Sequence, residues 1–344
     1  MKMMFKCLIV VVMSVVVVGA QEEEKKDHNG PQHKALCDLM KAAVGKWGRS
    51  GEGLSEPLKK ALGRTIFGKH DGGDLADLKG LPTDYNNVEG TLSSRGTWCG
   101  NPYEAPEFIN APTRWSGHSG PHGLLCLCTV GEKGWPLNES KNGIDKLCGL
   151  GKNALAAEDN EGWGYTGHQG NKHVTAAWAK IVTPCLQSSG MEDLKQALKT
   201  FLGKLVNKSN KEYTNRYQLG EGEPSEYDGC TGSEKKGVCV LYYNTTGIQK
   251  PMPWWVDLQN ALPEEEKFQE EKRRAEEEKR KQQETEKRID ESQTAALTST
   301  HTTTNQTDQS HKANLTDTIR KYNISSGTPI SRPTSWLLSA ALLI

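Results

Sequence analysis

Nine cysteines occur in this chain of 344 residues, and none follows Cys239. Cys7 lies in an apolar leader, which leaves eight for the body of the chain: Cys37, Cys99, Cys126, Cys128, Cys148, Cys185, Cys230 and Cys239. An even set in an exported polypeptide forms disulfides, and each covalent closure removes conformations from the unfolded chain. Spacing alone leaves the pairing open. A bridge across one intervening residue is strained, so Cys126 and Cys128 are expected to take different partners. Cys230 and Cys239 flank a Gly-rich segment and could close a small loop.

Both ends of the chain point to export. Lys2 and Lys6 precede the apolar run Leu8–Val18, and the small residues Val18-Gly19-Ala20 stand before Gln21. That order predicts a signal peptide over 1–20. A spanning helix needs about 20 apolar residues, and this run stops at Glu22-Glu23-Glu24. At the other end, Trp336–Ile344 is apolar but too short to span a core of about 30 Å. A polar spacer, Thr328–Ser335, and the small triplet Ser325-Ser326-Gly327 precede it. Small residues, spacer and apolar tail form the signal for glycosylphosphatidylinositol (GPI) attachment. Ser325, Ser326 or Gly327 is the expected attachment residue, and 328–344 is expected to be removed.

Between these ends the composition divides. Apart from Trp336, every tryptophan lies before residue 256, and beyond it the sequence turns to charge, threonine, serine and asparagine. We expect one folded, disulfide-bonded ectodomain over 21–262, a charged helix over 263–292 and a Ser/Thr-rich stalk over 293–327. Formal net charge is zero, so no long-range field draws nucleic acid, and no nucleic-acid partner is expected. Six Asn-x-Ser/Thr sequons, at Asn138, Asn207, Asn244, Asn305, Asn314 and Asn323, are candidates for N-glycosylation.

The fold class reads as mainly α. Leu36, Leu39, Met40, Ala43, Val44 and Trp47 form one apolar stripe at helical spacing, closed by Gly48. Ser55 before Glu56-Pro57 is expected to cap a second helix with the stripe Leu58, Ala61, Leu62, Thr65 and Ile66. Helical periodicity returns at Val174, Trp178, Ile181 and Val182, and again from Leu194 to Leu205 with a cap near Ser188 or Ser189. Gly72–Gly170 shows poor periodicity and reads as long loops pinned by bridges. Gly237–Tyr243 could form a short strand. Pro263 before three glutamates is expected to open the charged helix. Its i, i+4 pairs Glu270–Arg274, Glu276–Arg280, Glu277–Lys281 and Glu284–Arg288 suit a solvated spacer rather than a coiled-coil seam.

Several fragments invite a chemical reading. His118, His122, Cys126 and Cys128 offer imidazoles and thiols to zinc, but an oxidising compartment favours disulfides. Ser119 between glycines suggests a nucleophile elbow, yet Pro121 stands where that pattern wants glycine, and no strand before or helix after is expected. Gly149-Leu150-Gly151-Lys152 lacks the spacing of a phosphate loop. Trp254-Trp255, between prolines and the charged helix, reads as packing where head meets stalk, with an exposed ligand platform as the competing reading. No catalytic, cofactor-binding or metal residue is expected, and no cofactor.

Particular stretches resemble the variant surface glycoproteins of African trypanosomes, the shorter type found in Trypanosoma congolense. They are Ala35–Met40, Gly53–Lys60, Ile66-Phe67-Gly68, Trp98-Cys99-Gly100, Arg114–His122, Leu125–Cys128, Leu147-Cys148-Gly149, Thr183–Leu186 and Asn215–Gly222. The resemblance implies an elongated helical ectodomain on two long antiparallel helices, homodimerising along them and held on the outer leaflet by a GPI anchor. It also implies a dense coat that shields the cell and is exchanged to evade host antibodies. Many relatives carry a cysteine-rich C-terminal domain, which this chain lacks after Cys239. The competing reading is a low-copy surface receptor for a host macromolecule, separable by counting molecules per cell. A third reading, an anchored hydrolase, requires an activity that Ser119→Ala abolishes.

Overall fold

The computed structural model describes residues 25–89, 94–103, 112–139, 144–157, 161–164, 170–187, 193–244 and 251–298. The leader, the 299–344 tail, Asn305, Asn314, Asn323 and the Ser325–Gly327 triplet lie outside the described residues. The chain divides into a unit ending at Ala275 and a second beginning at Glu276.

The first unit is mainly helical. Helix α1, Gly30–Trp47, starts with proline in its first turn and buries Leu36, Leu39, Met40, Ala43, Val44 and Trp47. Gly48 ends it at φ 59°, a backbone setting that costs glycine little. Helix α2, Glu56–Phe67, buries Leu58, Ala61, Leu62 and Ile66, and Gly68 closes it in the left-handed region. Phe67 meets Trp47 edge to face, ring centres 5.6 Å apart. The Ser55 hydroxyl caps none of the α2 amides. Instead, the Ser55 N–H donates to the buried Glu265 carboxylate at 2.8 Å.

Within the stretch read as loops lies α3, Gly120–Cys128, with all nine of its residues buried. Apolar neighbours on every side remove the polar face that periodicity detects, so this helix reads in sequence as an irregular run. Its elbow-like Ser119 is the N-cap, and Pro121 occupies the first turn. A helix therefore does follow Ser119, contrary to expectation. Next come α4, Gly170–Ala177, a π-helical turn, Trp178–Val182, and α5, Thr183–Cys185. Helix α6, Leu194–Leu202, is capped by the Asp193 carboxylate, which accepts the Gln196 N–H at 2.8 Å. The cap is thus Asp193, while Ser188 and Ser189 lie outside the described residues.

Five short strands are found among the described residues of the unit. Strand β1, Asp27–His28, pairs in parallel with β2, Lys146–Leu147. Strands β3, Val206–Asn207, β4, Arg216–Gly220, and β5, Cys239–Tyr243, form an antiparallel sheet in that order, with Arg216 opposite Tyr243 and Gly220 opposite Cys239. Every residue of β5 is buried, the pattern of a strand covered on both faces. Asn29 fastens the start of α1. Its side-chain amide donates to the carbonyls of Leu127 and Val238, and its oxygen accepts the Glu221 N–H.

Helix α7, Trp254–Thr298, begins upstream of Pro263. Trp254, Trp255, Leu258 and Ala261 are buried and hold its first turns, so Pro263 is an interior residue. Proline there frees the Gln259 carbonyl; both residues are exposed, so water can satisfy it. From Glu266 onward α7 is exposed almost throughout to Ser292. Among its pairs, Glu270–Arg274 and Glu277–Lys281 form, while Arg280 turns to Glu284 instead of Glu276. Among the described residues of the first unit, the long antiparallel pair that the resemblance implies has no counterpart, and α1, at 18 residues, is the longest complete helix.

Candidate functional site

The eight cysteines pair as Cys37–Cys185, Cys99–Cys126, Cys128–Cys148 and Cys230–Cys239. Cys126 and Cys128 thus take different partners, and Cys230–Cys239 closes a short loop. The bridges tie α1 to α5, the π-helical turn Gly96–Gly100 to α3, and the end of α3 to the turn after β2. Two groups, His33 with Cys37 and Cys185, and His122 with Cys99 and Cys126, bring potential metal donors together. Their sulfurs are joined in bridges, however, and a disulfide offers no thiolate to a metal.

His118, Ser119 and His122 meet at the start of α3. His118 Nδ1 lies 3.1 Å from Ser119 Oγ. The same hydroxyl oxygen accepts the His122 N–H at 3.4 Å, and Ser119 is fully buried. This serine terminates a helix rather than facing a substrate. His122 is equally committed: its Nε2 lies 2.8 Å from the Trp98 carbonyl and its Nδ1 2.8 Å from the Tyr85 hydroxyl. A carbonyl only accepts, so Nε2 carries the proton and Nδ1 accepts from Tyr85. Burial pushes the His122 pKa down to about 3, against the hydrogen bond to Trp98. Burial also pushes the Tyr85 hydroxyl up to about 12, despite the nearby Arg114. Arg114 lies over the Tyr85 ring at 5.0 Å and pairs with Asp84 at 3.0 Å. Around them, Trp98 and Trp178 pack at a tilt against Tyr85 with ring centres 5.5 and 5.7 Å away. The His122 imidazole, Ser119 hydroxyl and Tyr85 phenol are thus each hydrogen-bonded within the core.

Sequence reading missed Arg95, whose side chain is fully buried. It donates to the Thr129 carbonyl at 2.8 Å and also to the Cys126 carbonyl, and it lies 5.3 Å from the Trp163 ring centre. A cation on the last carbonyls of α3 answers the negative end of that helix. Burial pushes its pKa down to about 9, which leaves it charged at neutral pH. Nothing in its sequence neighbourhood signals this role.

The remaining candidates also find structural places. Gly149–Lys152 follows β2 and enters a three-residue 3-10 turn, Asn153–Leu155, so no helix N-terminus faces a phosphate. Trp254 and Trp255 are buried against Phe201, Tyr217 and Tyr242, with ring centres 5.3 to 6.3 Å apart, and form no exposed platform. Asn138 and Asn207 are exposed, and Asn244 is half-buried at the end of β5. A groove of about 870 Å³ separates Lys41–Lys46 of α1 from Leu262–Arg273 of α7, with Asp193–Lys195 at its side. Two ion pairs form along it: Lys46 with Glu265 at 3.6 Å and Lys195 with Glu266 at 2.6 Å.

No helix among the described residues is long and apolar enough to cross a membrane. No curated protein matches the chain. A family model described as the trypanosomal VSG domain matches residues 46–287. That span runs from the last turn of α1 into the exposed part of α7 and takes in three of the four bridges completely, together with Cys185 of the fourth. The chain belongs to the trypanosomal VSG domain family.

Proposed function

We propose that this protein is a variant surface coat glycoprotein, exported through its leader, held on the outer leaflet by a GPI anchor and exchanged to evade host antibodies. Its family supports the coarser statement, a trypanosome surface coat glycoprotein. The observation that favours a structural over a catalytic role is the fate of the chemical groups. His122, Ser119, Arg95 and all eight bridging cysteines are spent inside the fold. A role that needs height, packing and a stapled head uses them this way; a catalytic role does not. We assign α7 and the sequence beyond it to a stalk, and the active form to a homodimer.

Treating intact cells with phosphatidylinositol-specific phospholipase C tests the tether. The protein should appear in the supernatant without its C-terminal apolar tail. Retention on the cell with residues 328–344 still attached would refute the anchor. Crosslinking on intact cells should give a dimer, and a monomer at coat density would refute the dimer.

A further inference from the structure

Two of the four bridges hold a histidine nitrogen close to a bridge sulfur, and they differ in access. At Cys99–Cys126, His122 Nε2 lies 3.6 Å from Cys126 Sγ. Both of those cysteines are fully buried, and the imidazole proton is committed to the Trp98 carbonyl. At Cys37–Cys185, His33 Nε2 lies 3.7 Å from Cys185 Sγ. His33 precedes Cys37 by one turn of α1, so both project from the same helix face. Cys37 is the most exposed of the eight bridging cysteines at 8 %, whereas Cys185 is at 1 %. Cys37 and His33 line one cavity of about 810 Å³, together with Asp27, Lys34, Asp38 and Lys41. Cys148 also borders it, but is less exposed than Cys37 at 3 %, and among the described residues no histidine nitrogen lies against its sulfur.

We propose that Cys37–Cys185 is a thiol–disulfide exchange site, entered from this cavity by an external peptide-sized thiol and served by His33 as proton donor. The incoming thiolate attacks Cys37, the more exposed partner of the bridge. A bond forms from that thiolate to Cys37 Sγ, the Cys37–Cys185 bond breaks, and the electron pair leaves on Cys185 Sγ. A buried thiolate is costly. The proton on His33 Nε2 passes to it as solvent protonates Nδ1, so the ring stays neutral and no imidazolate forms. A second thiol equivalent then displaces Cys37 from the mixed disulfide. The reductant departs as its own disulfide, and the protein holds two thiols. Burial holds His33 below its ordinary pKa, opposed by Asp27 and Asp38 and aided by Lys41, so the imidazole is neutral and has one N–H to give. The product frees α1 from α5 while the other three bridges stay closed. This goes beyond a coat role, because it makes one staple removable by a chemical class of partner.

The test uses the native full-length protein with reduced glutathione as the probe. Released thiols are trapped by alkylation and located by mass spectrometry. Cys37 and Cys185 should be labelled about tenfold faster than the other six cysteines, since access and the leaving sulfur both set exchange rates. His33→Gln should slow that labelling about tenfold, with thermal melting and the other bridges unchanged. Simultaneous labelling of all eight, or earlier opening of Cys128–Cys148, would overturn the site. A wild-type rate in His33→Gln would overturn the role of the imidazole.

Discussion

Helices α3 and α7 are held by opposite means. All of α3 is buried, and its ends are closed by the Ser119 hydroxyl at one side and the Arg95 guanidinium at the other. Beyond Glu266, α7 is exposed almost throughout and gains its side-chain support from i, i+4 ion pairs such as Glu270–Arg274. The first owes its stability to tertiary packing, the second to intrinsic propensity and local charge. In a surface protein this separates the part that must stay constant in volume from the part whose residues are individually replaceable.

The contrast breaks most readily at Leu125, a fully buried residue of α3. Leu125→Ala should cost about 2–5 kcal/mol in chemical denaturation, transfer and cavity contributions together. A loss under about 1 kcal/mol would mean that α3 is not the packed centre.

Acid should act on the same helix through His122. Its ordinary pKa of 6.5 is held at about 3 by burial in the folded state. The unfolded chain therefore binds the proton first. Stability is fully present above about pH 6.5 and is lost as pH falls toward about 3, at about 1.4 kcal/mol per pH unit for one such group. Burial lowers His118 in the same direction, reinforced by Arg114. Denaturation curves at pH 7 and pH 5 should differ by about 2 kcal/mol from His122 alone. His122→Gln should flatten that dependence, and an unchanged slope would place the acid sensitivity elsewhere.

On α7 the expected effect is smallest. Glu270→Gln removes one exposed pair with Arg274 and should change stability by no more than about 0.5 kcal/mol, less at high salt. A change above about 1 kcal/mol would show that this part of α7 is packed rather than solvated.

The same contrast explains what could be read from sequence. Helices α1 and α2 were legible because each has one apolar stripe and one polar face, closed by Gly48 and Gly68. The different partners of Cys126 and Cys128 followed from the strain of a one-residue bridge. By contrast, α3 was hidden because burial on every side erases periodicity, though Ser119 followed by Pro121 is a start signal in its own right. The opening of α7 was misplaced because Pro263 looked like a first-turn proline, while Trp254, Trp255 and Leu258 had already begun the helix. Arg95 could not have been found: its partners are backbone carbonyls more than thirty residues away, which no local pattern encodes.

The Asn29 clasp bears on how the chain is made. Its partners Leu127, Glu221 and Val238 lie far downstream, the last of them separated by 209 positions. Under the export proposed above, Asn29 would enter an oxidising compartment long before its mates do. Neighbouring cysteines such as Cys128 and Cys148, separated by 20 positions, can oxidise at once, whereas Cys37 must wait across 148 for Cys185. Helix α1 thus waits for most of the chain before its bridge can close, and a chain truncated before Val238 would lack one of the carbonyls that hold Asn29.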